Sequence, residues 1–394
     1  MEVRARAPGK IILSGEHAVV HGSTAVAASI DLYTKVSVRM PSVTDSVDGL
    51  LELQLKDMGL VLSWSIERLK EILPELHSSP STFSSETLKS VAILVEEHSI
   101  PEAKIGLAAG VSAFLCLHTA IRGFKPAVVV VTSDLPLGSG LGSSAAFCVS
   151  LSAALLASSG SLTLDSNQHG WLSPGIGELE LVNRWAFEGE KVIHGKPSGI
   201  DNTVSTFGNM IMFQSGKLTQ IRSSTPLRML ITNTNVGRNT KALVAGVSER
   251  SKRYPATMAS VFSAVDSISK ELSAIIQSPA TNDVSITEKE EKIQELMEMN
   301  QGLLLCMGVS HASIETVLRT TLKYKLPSKL TGAGGGGCVL TLLPTLLAGA
   351  VVDKVTTELE ECGFQCSMVA VGGKGLEVCI DGQLDLEYRL MLNV

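Results

Sequence analysis

The chain of 394 residues has few charged side chains, 18% in all, and no basic excess, its formal net charge being −6. A nucleic-acid or anionic-membrane binder advertises itself by a positive field, so neither partner is expected. A phosphorylated ligand would have to be neutralised locally, by backbone N–H groups, a few lysines or arginines, and a metal. Cysteine is sparse too: seven residues, scattered and odd in number, make no disulfide framework, and Cys362 and Cys366 lack the paired spacing of a zinc site. Free thiols in a reducing compartment are the expectation. No apolar run reaches the length of a bilayer span; Leu342 to Val352, broken by Pro344 and Gly349, reads as a strand end and a turn. The opening MEVRARAPGKIIL has no apolar segment followed by a small-residue cleavage site, which leads to the expectation of a cytoplasmic protein, with a peroxisomal location as the alternative. No internal repeat is visible.

What is present is a globular composition, 44% hydrophobic, on a chain long enough for about two domains. The boundary is expected near 225, with residues 1–225 and 226–394 as the two units. Strand-like runs open the chain (VRARA, KIILS, LYTKVSVRM), and loops rich in Ser, Pro and Gly follow near 41–50 and 77–87. Helical periodicity marks 86–98, 104–122, 255–276 and 285–305. A polar stretch at 157–177 reads as an exposed loop. ELELVNRWAFEGEKVIH reads as a helix stopped by Gly195 and Pro197, and FGNMIMFQSGKLTQI as a hairpin turning at Ser-Gly.

The segment PLGSGLGSS at 136–144 lies between the strand-like AVVVVT and the Ala-rich, helix-like AAFCVSLSAALLAS. A helix N-terminus has unpartnered N–H groups and a partial positive charge, so it is a place for an anion. Gly138, Gly140 and Gly142 let the backbone turn and approach a bulky phosphate closely, while Ser139, Ser143 and Ser144 add hydroxyls. An ordinary capped turn would use the same residue types. The loop has no Lys and so is not a Walker-type loop; Ser143 stands where the dinucleotide fingerprint needs its third glycine. A literal G-x-G-x-x-G at Gly332, Gly334 and Gly337 is followed by strand-like CVLTLL, with no helix opening, so the dinucleotide context is missing there as well. The run GAGGGG is costly to order, and close approach to a second ligand surface or to the first loop is its functional reading; a linker is the other.

Three more residues draw notice one by one. Glu190 falls in the last turn of a helix, where the negative helix end repels a carboxylate and a cation would relieve it; a solvated Glu beside Lys191 is the alternative. Asp201 lies in HGKPSGIDN, either a working carboxylate or a turn residue. Lys10, after Pro8 and Gly9, enters an apolar strand where a neutral residue is usual, or is simply exposed.

Taken together, APGKIILSGEH, PLGSGLGSSAA and KLTGAGGGGC resemble, in order, the three motifs of the GHMP kinases, the family of galactokinase, homoserine kinase, mevalonate kinase and phosphomevalonate kinase. GEHAVVHG, ELVNRWAFEGEKVIHGKPSGIDNTVSTFG and TNTNVGRNTKALVAGV are similar to the animal-type mevalonate kinases within it, whereas galactokinases follow GEH with a Thr-Asp-Tyr type sequence. The resemblance spans Arg4 to about Gly373 and implies a two-domain α+β fold: an N-terminal α/β domain with a mixed sheet, a ferredoxin-like C-terminal domain, and the active site in the cleft between them.

It also implies an ATP-dependent kinase acting on the 5-hydroxyl of (R)-mevalonate, in isoprenoid and sterol synthesis. ATP would place its phosphates on Gly138, Ser139, Gly140, Leu141, Gly142, Ser143 and Ser144, with Ser133 and Asp57 as further nucleotide contacts. Ser144 and Glu190 match the family's Mg²⁺ ligands, hard oxygen donors suited to that ion. Asp201 matches the catalytic Asp beside the substrate hydroxyl, and Lys10 the Lys contacting both that hydroxyl and the γ-phosphate. Glu16 and His17 match residues lining the mevalonate pocket, and Arg238 and Thr240 lie in a segment near the substrate. Asp57 stands where mammalian members have Asn, a departure that bears on the nucleotide contact, and Asn235 and Gly237 replace the usual Lys and Pro, so substrate-side affinity is expected to differ. A homodimer, feedback-inhibited by isoprenyl diphosphates, is implied by the same likeness. Three other functions compete. A phosphomevalonate kinase would need an extra basic cluster, absent from the pocket motifs. A non-catalytic sensor would have lost Lys10, Glu190 or Asp201. A dinucleotide-dependent oxidoreductase fails the fingerprint tests.

Overall fold

The computed structural model describes residues 2–40, 49–76, 79–98, 100, 106–163, 170–223 and 227–380. The first half contains β1 (Glu2–Ser14), β2 (Ala25–Arg39), β3 (Leu50–Leu55), β4 (Leu60–Ser65), α1 (Ile66–Ile72), α2 (Ser85–Glu96), α3 (Ala108–Arg122) and β5 (Ala127–Ser133). It continues with α4 (Ser143–Ser158), α5 (Ile176–His194), α6 (Ile200–Phe207), and the hairpin β6 (Met210–Gln214) and β7 (Lys217–Ile221). The second half contains β8 (Leu227–Asn233), α7 (Thr240–Arg253), α8 (Pro255–Gln277), α9 (Asp283–Met307), α10 (Ala312–Leu322), β9 (Ser328–Leu330), β10 (Cys338–Leu342), α11 (Gly349–Glu361), β11 (Gln365–Val371) and β12 (Glu377–Ile380).

The strands form one mixed sheet in the order β4-β3-β5-β2-β11-β8-β10-β9, with β3 parallel to β5 and the other pairs antiparallel. The halves meet where Val371 of β11 pairs with Ile30 of β2. β12 then crosses back to pair with β1, Val3 facing Ile380, so the end of the described chain joins the first half rather than the second. One large apolar cluster fills the first half and reaches Met229, Ile231 and Leu272; a second, around Val265, Ile314, Val339 and Val355, lies between the helices and strands of the second.

The element that positions the site is α4. It has no polar face, and from Ala145 to Ala157 only Phe147 is not fully buried, as expected of a helix enclosed on all sides. Packed against β1, β2, α3, α5 and α6, it holds its glycine-rich N-terminus at the centre of the first half. The helices expected near 86–98, 104–122, 255–276 and 285–305 appear as α2, α3, α8 and α9, and the hairpin turns at Ser215 and Gly216, both at positive φ. The stretch 342–352 departs from expectation: its strand ends at Leu342, but α11 already starts at Gly349, because the apolar residues Val352, Val355 and Leu359 recur at helical spacing beyond it. Residues 41–48, within the loop expected near 41–50, lie outside the described residues.

Candidate active site

The site begins at an irregularity in β1. Its register on β2 shifts between Pro8 and Gly9, and there the strand meets the loop before α4. A Cβ on Gly9 would stand 2.7 Å from the Leu141 carbonyl, so the missing side chain admits that loop, and the next amide, Lys10 N, donates to Leu141 O at 2.8 Å. Lys10 is therefore not an exposed lysine but a buried one, its ammonium 3.2 Å from Asp201 Oδ2. The side chains of Lys10 and Asp201 are 7% and 36% exposed, so the pair has a dry side and an open side.

Asp201, expected in a loop, stands in the first turn of α6, after Gly199 at φ +83°. A carboxylate is favoured at a helix N-terminus, and Lys10 adds a cation. Gly138, Gly140 and Gly142 take φ of +69°, +83° and +75°, backbone that only glycine adopts readily. Gly142 is the N-cap of α4, and no side chain caps that end. The first amides of α4, including those of Ser143 and Ser144, thus have no side-chain cap to compete with an incoming anion. Ser139 is different: buried, it donates to Pro136 O at 2.7 Å and braces the loop through its hydroxyl.

Glu190 approaches from α5. It is 3% exposed, which rules out a solvated glutamate, and its Oε1 has no hydrogen-bond partner among the described residues. Burial first, and the Asp201 carboxylate second, push its carboxyl up to about 7, against a hydrogen bond from Ser144 and the charge of Lys10. An orphaned carboxylate oxygen beside a serine hydroxyl and a second carboxylate is a place that calls for a cation. Among the described residues no group of three or more His, Cys, Asp or Glu forms a metal cage, so a cation here would take its other ligands from phosphate and water.

Next to this cluster an apolar cavity of about 150 Å³ is lined by Leu53, Leu55, Val111, Leu137, Phe147 and Ile193, with Asp57, Ser133, Ser143 and Ser144 as polar members. Asp57 accepts from Ser133 N at 2.7 Å, and the Ser133 hydroxyl meets Thr34 Oγ1 at 2.8 Å. The cavity offers a flat apolar ligand a place beside the phosphate loop.

The glycine run 332–337 closes the other side. Gly332, Gly334, Gly335, Gly336 and Gly337 all have positive φ, and the run is ordered around neighbouring chain, not a linker. Arg238 lies between the two glycine loops: a Cβ on Gly140 would stand 1.6 Å from its Nη2, and one on Gly337 2.8 Å from its Nη1. His17, at φ +60°, bonds through Nε2 to Ala333 O at 2.8 Å; a carbonyl only accepts, so Nε2 carries the proton and buried Nδ1 is left an acceptor without a partner. Glu16 is turned away from open space. Its carboxylate is fully buried against Lys329, because a buried ammonium must have a counter-charge. Thr240 is exposed at the start of α7, and among the described residues no hydrogen bond ties it to the Lys10–Asp201 pair. Sequence reasoning passed over His194, whose Nε2 meets Ser144 Oγ at 3.0 Å. Its position four residues after Glu190, on the same helix face, was a legible signal.

The GHMP kinases N terminal domain matches residues 107–209, and the GHMP kinases C terminal domain matches residues 286–361. Both halves therefore carry the domain pair of a class of ATP-dependent small-molecule kinases. The chain is 64% identical over 384 residues to mevalonate kinase of Arabidopsis thaliana, covering 96% of this chain and 100% of that protein. It is 38% identical to mevalonate kinase of Homo sapiens, covering 98% and 97%. Among solved structures, L. major mevalonate kinase in complex with R-mevalonate shares the fold at a TM-score of 0.67 and 21% identity, over 94% of this chain and 96% of that one. The chain belongs to the mevalonate kinase family.

Proposed function

We infer that the chain transfers the γ-phosphoryl group of ATP to the 5-hydroxyl of (R)-mevalonate, giving 5-phosphomevalonate and ADP on the route to isoprenoids and sterols. The observation that carries this is the convergence of the Lys10–Asp201 pair, Glu190 and the uncapped N-terminus of α4 at one point. In this reading the α4 amides and the glycine loop hold the phosphates, and the apolar cavity takes the adenine. Asp201 orients the substrate hydroxyl and accepts its proton late in a loose transition state, where positioning and charge neutralisation do most of the work. Lys10 pairs with Asp201 and offers positive charge to the transferring group.

Ser144 and Glu190 fit Mg²⁺, because the orphaned Glu190 oxygen and the serine hydroxyl are hard donors with room for phosphate ligands. When bound, the ion would supply neutralisation of phosphate charge. We also propose a homodimer and inhibition by isoprenyl diphosphates, whose diphosphate and apolar chain suit the α4 N-terminus and the cavity beside it. A cytoplasmic location is supported by seven free cysteines.

An ADP-release assay across mevalonate, phosphomevalonate, galactose and homoserine tests the function. Turnover of mevalonate is the expected result; turnover of phosphomevalonate or a sugar alone would replace it.

A further inference from the structure

The first and third motifs are far apart in sequence and joined residue by residue in space. Ile12 N donates to Thr331 Oγ1 at 3.0 Å, and the same hydroxyl donates back to Ile12 O at 3.1 Å. Five residues on, His17 donates to Ala333 O at 2.8 Å. Beside the first of these joints lies Lys329, with Glu16 opposite it and neither side chain exposed. The Lys329 ammonium donates to Glu16 Oε1, to Leu330 O at 2.7 Å and to Ile12 O at 3.3 Å, which occupies all three of its protons. Asn300 Nδ2 donates to the other Glu16 oxygen at 3.4 Å.

A fully buried ion pair is an inefficient source of stability, since two apolar side chains of similar size would do as well or better. Its physical return is register: it allows one arrangement of the segments that carry the charges. Here the segment needs such a constraint. His17 is a non-glycine residue at φ +60°, strained backbone that persists only when its surroundings hold it. Glu16 is anchored immediately before it and the imidazole is anchored beyond, so the Nδ1 acceptor of His17 is aimed by both.

We propose that Lys329 is a positioning residue for the substrate side of the site: by anchoring Glu16 it holds the strained His17 turn against the glycine-rich run. The inference rests on the reading of mevalonate as substrate and of His17 as part of its pocket. Lys329 touches no reacting atom and acts through Glu16 and His17. Its effect therefore falls on mevalonate binding rather than on ATP, whose loop is at the other side of Arg238.

Two variants test this, Lys329→Met and the double variant Glu16→Gln with Lys329→Met, each followed by thermal melting and by steady-state kinetics in both substrates. Lys329→Met strands a buried carboxylate, so its melting temperature falls; KM for mevalonate is expected to rise about tenfold, the effect of one or two lost hydrogen bonds, while KM for ATP stays within about twofold. The double variant has no stranded charge and recovers its melting temperature, but the new glutamine side chain has no ammonium to anchor it and KM for mevalonate stays raised. Recovery of KM together with melting temperature would show a structural pair only and overturn the proposal. So would equal rises in both KM values, an unchanged KM for mevalonate, or failure of the double variant to fold. If Lys329→Met alone does not fold, the split between the two KM values in the double variant decides. Wild-type protein that ignores mevalonate overturns the substrate reading, and this inference with it; wild-type turnover with unsplit KM values overturns this inference alone.

Discussion

Glu190→Gln is expected to stabilise the protein while disabling it. The glutamate is buried, and its carboxyl is raised from the ordinary 4.5 to about 7, chiefly by burial and by Asp201. Between those two values the folded protein holds a proton that the unfolded chain has released, so stability falls as pH rises through that window. The difference of about 2.5 units at 1.36 kcal/mol each sets a ceiling of about 3 kcal/mol on the cost of ionised Glu190 above pH 7. Glutamine keeps the shape and does not titrate. In EDTA, the variant should melt a few degrees above wild type at pH 8.5, and the gap should narrow steadily toward pH 5. Adding Mg²⁺ and ADP should reverse the order, because wild type gains more from a cation at Ser144 and Glu190 than the amide can. Activity at saturating substrates should fall, with a raised Mg²⁺ requirement. Parallel melting curves from pH 5 to 8.5, or a variant less stable than wild type at pH 8.5, would refute the account of Glu190 as an uncompensated buried acid.

Asp201→Asn, which keeps the hydrogen-bonding shape, should lower kcat by about 10²–10⁴-fold, the usual range for loss of a general base, and leave ATP affinity almost unchanged. Near wild-type turnover in a variant with a normal melt would remove Asp201, 3.2 Å from Lys10, from the chemistry. Gly140→Val should weaken nucleotide binding by about tenfold, through strain at φ +83° and through displacement of Arg238 by the new Cβ. Adding Arg238→Ala should make titrations with a fluorescent nucleotide no worse, and strict additivity would mean that the two residues do not share the space. His118 is wholly buried with neither ring nitrogen bonded among the described residues, and burial lowers its pKa to about 3. The unfolded chain takes up that proton as pH falls below 6.5, so His118 contributes a loss of about 1.4 kcal/mol per pH unit there, opposed over the same range by the gain from Glu190; in denaturant melts from pH 7 to 5, wild type should lose stability relative to His118→Leu at that slope. An equal slope in both proteins would exclude His118 as its source.

Local sequence was enough to determine the helix after PLGSGLGSS, the glycines that permit its entry, the hairpin around Ser215 and Gly216, and the family to which the three motifs point. These are features of turn chemistry and periodicity, which act over a few residues. Lys10, Glu190 and Asp201 were visible as candidates, yet each had an ordinary reading as a surface or turn residue. What removed that reading was burial and proximity: Lys10 sits inside β1, Glu190 has an oxygen with no partner, and Asp201 lies 3.2 Å from Lys10 across 191 positions of chain. Such distances are set by how α4, α5 and α6 pack on β1, a property no short window of sequence contains. Glu16 shows the same limit from the other side. The motif placed it with the substrate residues, and only the tertiary structure, by bringing Lys329 to it through the return of β9, decided that its charge is neutralised inside the protein. A buried charge takes whatever partner the fold supplies, and that partner is written in long-range packing.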